Sequence, residues 1–189
     1  MAFLRSTDYW LRRVEIAAGV VAALALAAIM VIVALDVSMR YIFNRPFAWS
    51  YDFVSLYVMP ALFFLALSRT YAVNGHVNVD LLHHFVGSRT RRIFEFLVTL
   101  CSTVLFAVVT YAGATRALSQ YLGNEVMSGV YAWPAWVSAA FVPVGCGLIV
   151  VRLLFNLICH LTTLISGVEV LPLPPVAGSV EAVREGSFE

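Results

Sequence analysis

Charged residues are scarce in this chain. Asp, Glu, Lys and Arg together make up 12% of its 189 residues, and the formal net charge is +1. A nucleic-acid surface needs clustered positive charge, so this balance excludes that class of partner. Lysine is absent; all twelve basic residues are arginine. Cysteine is nearly absent too. Cys101, Cys146 and Cys159 each sit in or beside an apolar stretch, and no two stand in CxxC spacing. That excludes a disulfide framework and a cysteine zinc site. Thiols in such surroundings behave as small hydrophobes. Long polar stretches are missing as well, which leaves no room for a separate soluble domain.

What the chain does have is apolar sequence, at 61% of its residues. Four runs account for most of it: Ile16 to Leu35, Phe53 to Ser68, Phe96 to Thr115 and Val130 to Val151. A helix of about 20 apolar residues rises about 30 Å, the thickness of the hydrocarbon core. The second run reaches that length when its helix starts nearer Pro46 or Trp49. The fold expected is an all-α integral membrane protein with four transmembrane helices. Residues 16–165 form the membrane domain, 1–15 a cytoplasmic interfacial segment and 166–189 a disordered cytoplasmic tail. Arg12 and Arg13 precede the first run like the n-region of a signal peptide. The run is longer than a usual h-region, however, and no A-x-A site closes it, so it is read as a retained span.

Arginine placement gives an orientation. Arg5, Arg12, Arg13, Arg69, Arg89, Arg91, Arg92, Arg152 and Arg184 fall on one side, and Arg40, Arg45 and Arg116 on the other. The positive-inside rule then puts both termini in the cytoplasm. Aromatic residues crowd the two connections assigned to the outside: Tyr41, Phe43, Phe47, Trp49 and Tyr51, then Tyr121, Tyr131, Trp133 and Trp136. Trp and Tyr favour the headgroup layer, where the ring is apolar and the polar tip stays wet. Phe3 to Val14, and the stretch carrying Val79, Leu82 and Phe85, suit short helices lying on the cytoplasmic surface, and suit ordinary loops equally. After Ile165 the prolines at 172, 174 and 175, with Gly178, Glu181, Glu185 and Glu189, mark the loose tail.

Enzymatic chemistry finds little support. There is no HExxH and no GxSxG. Ser102 and Ser138 lie in spans with no histidine at comparable depth to act as base. His76, His83 and His84 fall in a connection, and His160 lies beyond Arg152, whereas axial heme ligands must face one another inside a bundle. No acid lies mid-span, so the chain alone is not expected to pump or couple ions. The chain is read as a non-enzyme without cofactor or metal.

Asp36 and Arg40 share a helix face. They are either an intramembrane pair that docks a partner or lines an ion path, or an interfacial pair that snorkels to the headgroups. An acid at the bilayer centre costs about 3 kcal/mol and much less near an edge, which favours snorkelling. Ser50 is placed to cap the second span, with Asp52 in its first turn, where the helix dipole favours a carboxylate. Gly19, Ala23 and Ala27 form a small-residue stripe that suits either internal packing or another subunit. Pro60 and Pro143 should kink their spans, with Gly145 and Gly147 loosening the last one.

Three stretches, taken together, carry a resemblance. They are Arg40-Tyr41-Ile42-Phe43-Asn44-Arg45-Pro46 with Trp49-Ser50-Tyr51-Asp52; Gly75-His76-Val77-Asn78-Val79-Asp80-Leu81-Leu82; and Pro134-Ala135-Trp136 with Val142-Pro143-Val144-Gly145. In this order on four spans, the chain resembles the small membrane subunit (DctQ type) of tripartite ATP-independent periplasmic (TRAP) transporters. The family usually carries Glu where this chain has Asp52, so a contact needing the longer side chain is in question. The resemblance implies a scaffold for a large, elevator-type membrane subunit that holds the substrate and sodium sites. It also implies docking of a periplasmic substrate-binding protein, for sodium-driven uptake of an organic acid across a bacterial inner membrane. Arg40, Trp49, Ser50 and Asp52, with Pro134 and Trp136, would then mark the outer rim, and His76 and Asp80 would organise the inner connection. The competing reading is a membrane anchor for a redox complex.

Overall fold

The computed structural model describes residues 2–73, 88–129 and 131–166. Helix α1 is Ala2–Phe43. The second span opens as α2, Ser50–Phe53, widens through one π turn, Val54–Val58, and continues as α3, Met59–Ala72. Helix α4 is Ser88–Leu122 and α5 is Ala135–Ser166. Two short strands, β1 (Val126–Met127) and β2 (Trp133–Pro134), pair antiparallel between α4 and α5. Four helical stretches are long and apolar enough to cross a membrane: Thr7–Phe43, Ser50–Ala72, Ile93–Leu122 and Ala135–Thr163. Each exceeds the apolar run that marks it, because helices continue into the headgroup layers where polar residues are tolerated. The second span begins at Ser50, which makes up the length its apolar run lacks.

Helix α1 has 42 residues without a break, about 63 Å at 1.5 Å per residue. This corrects the expectation of a separate surface helix over Phe3 to Val14. No proline or glycine interrupts the chain there, and Leu11 and Glu15 are buried against the other spans. The first span therefore simply continues toward the N-terminus as one helix. The second expected surface helix, carrying Val79, Leu82 and Phe85, lies outside the described residues, as does the tail beyond Ser166.

The helices pack as an open row. Helix α1 packs on the second span, the second span on α5, and α5 on α4, so the spatial order is first, second, fourth, third. The two end helices of the row are accordingly far less buried than the two in the middle. The inward stripe of α1 runs through Leu11, Glu15, Ala18, Ala22, Ala25, Ile29, Ile32 and Asp36. That alternation of three and four residues is the seam of a left-handed helix pair. Ala23 and Ala27 point outward, away from this seam.

Close approach in the row rests on glycine. A Cβ on Gly145 of α5 would collide with the backbone carbonyl of Phe64 on α3, and one on Gly113 of α4 would come within 2.9 Å of Val142. Gly145 thus serves contact with α3 rather than loosening α5. The π turn explains how the second span accommodates Pro60. Proline has no N–H to donate and its ring crowds the carbonyl four residues back. Here the N–H of Met59 reaches five residues back, to Val54, and the wider turn relieves that crowding.

Candidate functional site

Buried polar side chains gather at the two ends of the row. At one rim, Asp36 lies in the last turns of α1, which stops at Asn44 (φ 51°), where the Arg45 N–H turns back to the Met39 carbonyl. Asparagine tolerates this left-handed stop better than other non-glycine residues. The chain then folds back over the helix end and Asp36 holds it there. Its Oδ1 accepts from the Phe47 backbone N–H at 2.8 Å and from the Ser50 hydroxyl at 3.0 Å, and its Oδ2 accepts from Arg40 Nη2 at 3.0 Å. Ser50 Oγ also lies 2.9 Å from the Phe47 carbonyl, so its single proton serves one acceptor at a time. Asp36 is therefore a loop anchor, which neither reading of the Asp36–Arg40 pair anticipates. Ser50 corrects a second expectation. Trp49, not Ser50, occupies the cap position and makes no side-chain cap bond, since an indole offers no acceptor; the Ser50 hydroxyl is turned toward Asp36 instead.

From this anchor an aromatic chain crosses to the β1–β2 connection. Phe47 meets Trp49 (5.7 Å between ring centres), Trp49 meets Phe53 (5.9 Å), and Phe53 and Tyr57 both meet Trp133 (5.8 and 5.6 Å). The Tyr57 hydroxyl donates to the Pro134 carbonyl at 2.7 Å, locking the second span to the start of α5. Asp52 sits in the first turn of α2, its carboxylate against Gly129, where an added Cβ would lie 2.7 Å from Oδ2. Trp136 stands on Tyr121 of α4, edge to face at 5.4 Å. So this rim joins Arg40, Ser50, Trp49 and Pro134 through shared partners, with Asp52 packed on the same connection as Pro134. His76 and Asp80 lie outside the described residues.

The opposite rim carries a polar cluster that reading the sequence did not single out. Glu15 on α1 is fully buried, and its Oε1 accepts from Ser68 Oγ on α3 at 3.0 Å. Arg152 on α5 donates from Nη1 to Asp8 Oδ1 on α1 at 2.8 Å, and its Nε lies 3.8 Å from Glu15 Oε1. One turn further along α5, Asn156 Nδ2 donates to the Tyr71 hydroxyl on α3 at 3.3 Å. A signal for this cluster was in the sequence. Glu15, Ser68 and Arg152 stand at the edges of the first, second and fourth apolar runs, at one nominal depth. Glu15 and Asp36 are 21 residues apart, about 31 Å of helix, so the two polar layers are separated by one hydrocarbon thickness. Among the described residues, no group of three or more His, Cys, Asp and Glu is arranged to hold a metal ion.

A search of curated proteins returns no match. A family model does match, over residues 29–163, described as tripartite ATP-independent periplasmic transporters, DctQ component. The matched span starts inside α1 and includes Asp36, the whole aromatic rim and, at the opposite rim, Ser68, Arg152 and Asn156. A multi-pass, four-span chain matched over most of its length in this way belongs to the DctQ family, the small membrane component of TRAP transporters.

Proposed function

We propose that this chain is a stationary scaffold, built to support a large elevator-type membrane subunit and to help dock a periplasmic substrate-binding protein during sodium-driven uptake of an organic acid. It works in the bacterial inner membrane with both termini in the cytoplasm, as the nine-to-three arginine bias favours. Substrate and sodium are held by the large subunit, and this chain carries out no catalysis and needs no cofactor. Arg40, Trp49, Ser50, Asp52, Pro134 and Trp136 belong to the outer, receptor-facing rim, and His76 and Asp80 organise the inner connection.

The observation that carries the reading is the distribution of polarity. The helices form an open row whose polar anchors sit at the two rims, with no acid on α1 between Glu15 and Asp36. A carrier needs ionisable or polar groups near the membrane midplane, at the interface of moving parts. Rim anchors around an apolar middle suit a part that stays still. In lipid, apolar burial does not drive helix association, so close packing and rim polar contacts are what such a part has for holding a neighbour.

Reconstitution tests it. Proteoliposomes holding the large membrane subunit, the binding protein and a sodium gradient should accumulate an organic acid only when this chain is present. Equal uptake without the chain, or uptake by the chain alone, overturns the proposal.

A further inference from the structure

We propose that the inner polar cluster binds one ordered water molecule, held jointly by Glu15 of α1 and by Arg152 and Asn156 of α5, which joins the separate Glu15–Ser68 and Asn156–Tyr71 contacts with α3 into one network. Three side-chain atoms in this layer are buried without a hydrogen-bond partner: Glu15 Oε2, Arg152 Nε and Asn156 Oδ1. Their side chains are 90% or more buried, with residue exposures of 0%, 8% and 8%. Buried polar atoms in folded proteins nearly always find partners, in the chain or in water. Two are acceptors and one is a donor. A water molecule donates twice and accepts, and a buried water typically makes about three hydrogen bonds. Exchanging oxygen and nitrogen on the Asn156 amide leaves the match intact, because the unpaired atom would then be a donor into the same water.

Other ligand classes fit less well. A cation would share its carboxylate with the Arg152 guanidinium, whose Nε lies 3.8 Å from Glu15 Oε1. An anion would face Glu15 itself. Anything larger than a water must displace a carboxylate with no solvent exposure. The 3.8 Å separation is also too long for a direct hydrogen bond, so Arg152 Nε is left to reach Glu15 through an intermediary.

The joint matters because of how the row is built. Helix α1 packs laterally on the second span, while Arg152 reaches it from α5, one helix further along. A water shared by Glu15, Arg152 and Asn156 adds a second link between α5 and α1, and the direct bonds to Ser68 and Tyr71 carry that link to the second span.

The test is a map of the full chain in lipid nanodiscs, in the membrane complex in which it purifies, at a resolution that shows ordered water. One peak is expected within about 3 Å of Glu15 Oε2, Arg152 Nε and the Asn156 amide. Glu15→Gln should keep the peak, since the amide still offers an oxygen, and Asn156→Leu should lose it. Arg152 Nε bonded directly to Glu15 with no peak between them overturns the proposal, as does a peak coordinated only by oxygens at cation distances.

Discussion

At the scale of single residues, the aromatic rim depends on Asp36 more than on the arginine beside it. Asp36 accepts from a backbone N–H, a hydroxyl and a guanidinium, whereas Arg40 contributes one of those bonds from a side chain that is 60% exposed. Exposed ion pairs contribute little, and a buried backbone donor stripped of its acceptor is costly. Asp36→Ala should therefore lower the melting temperature in detergent clearly more than Arg40→Ala, with Asp36→Asn between them; the reverse order would remove Asp36 as the anchor. Glycines make a second contrast on one helix. Gly145→Leu drives a side chain into the Phe64 backbone and should destabilise by about 1–3 kcal/mol, the usual range for overpacking. At Gly147 the nearest atom to an added Cβ is 3.9 Å away, and Gly147→Ala should gain about 0.5 kcal/mol from helix propensity. Unfolding of the two variants in the same detergent checks both signs.

Elements show where sequence patterns carry enough information and where they stop. The four spans were legible because apolar length is a local property, and Asp52 was legible because an acid in a first turn needs only its own helix. Ser50 was misread because its partner Asp36 lies 14 residues away across a chain reversal. The break expected near residue 15 did not occur because Glu15 is held by Ser68 and faces Arg152, both far along the chain. The kink expected at Pro60 takes the form of a π turn, and which residue widens depends on what the helix must meet next. Here the turn includes Tyr57, whose hydroxyl donates to the Pro134 carbonyl. Tyr57→Phe removes that one bond and should cost about 1 kcal/mol, read as earlier unfolding. No change in unfolding would mean the ring stack alone holds the contact.

For the whole molecule, the row is tied at the Glu15 rim by Arg152, which joins α5 to two acids on α1. Removing one partner of a buried ion pair costs about 3–5 kcal/mol in soluble proteins, because the other charge is left uncompensated. Arg152→Ala should accordingly be the most damaging of the single changes considered, and Arg152→Ala combined with Glu15→Gln less damaging than the single change, as measured by folded yield in detergent. Thiol reactivity tests the arrangement without mutation. Cys101 is exposed on α4, while Cys146 and Cys159 are almost wholly buried on α5. A small membrane-permeant maleimide should reach the first through the detergent before the other two, which should react only on unfolding. That arrangement was beyond the reach of pattern reading, since an apolar stripe does not say whether protein or lipid covers it.

The two anchored layers also act as a ruler. Glu15 and Asp36 sit at a separation fixed by the helix between them, about 31 Å, and neither can slide into hydrocarbon cheaply. The assembly is thus matched to one bilayer thickness. Thinner lipid should make it tilt, thicker lipid should thin around it, and either mismatch should load the ties at the two rims before it disturbs the apolar middle.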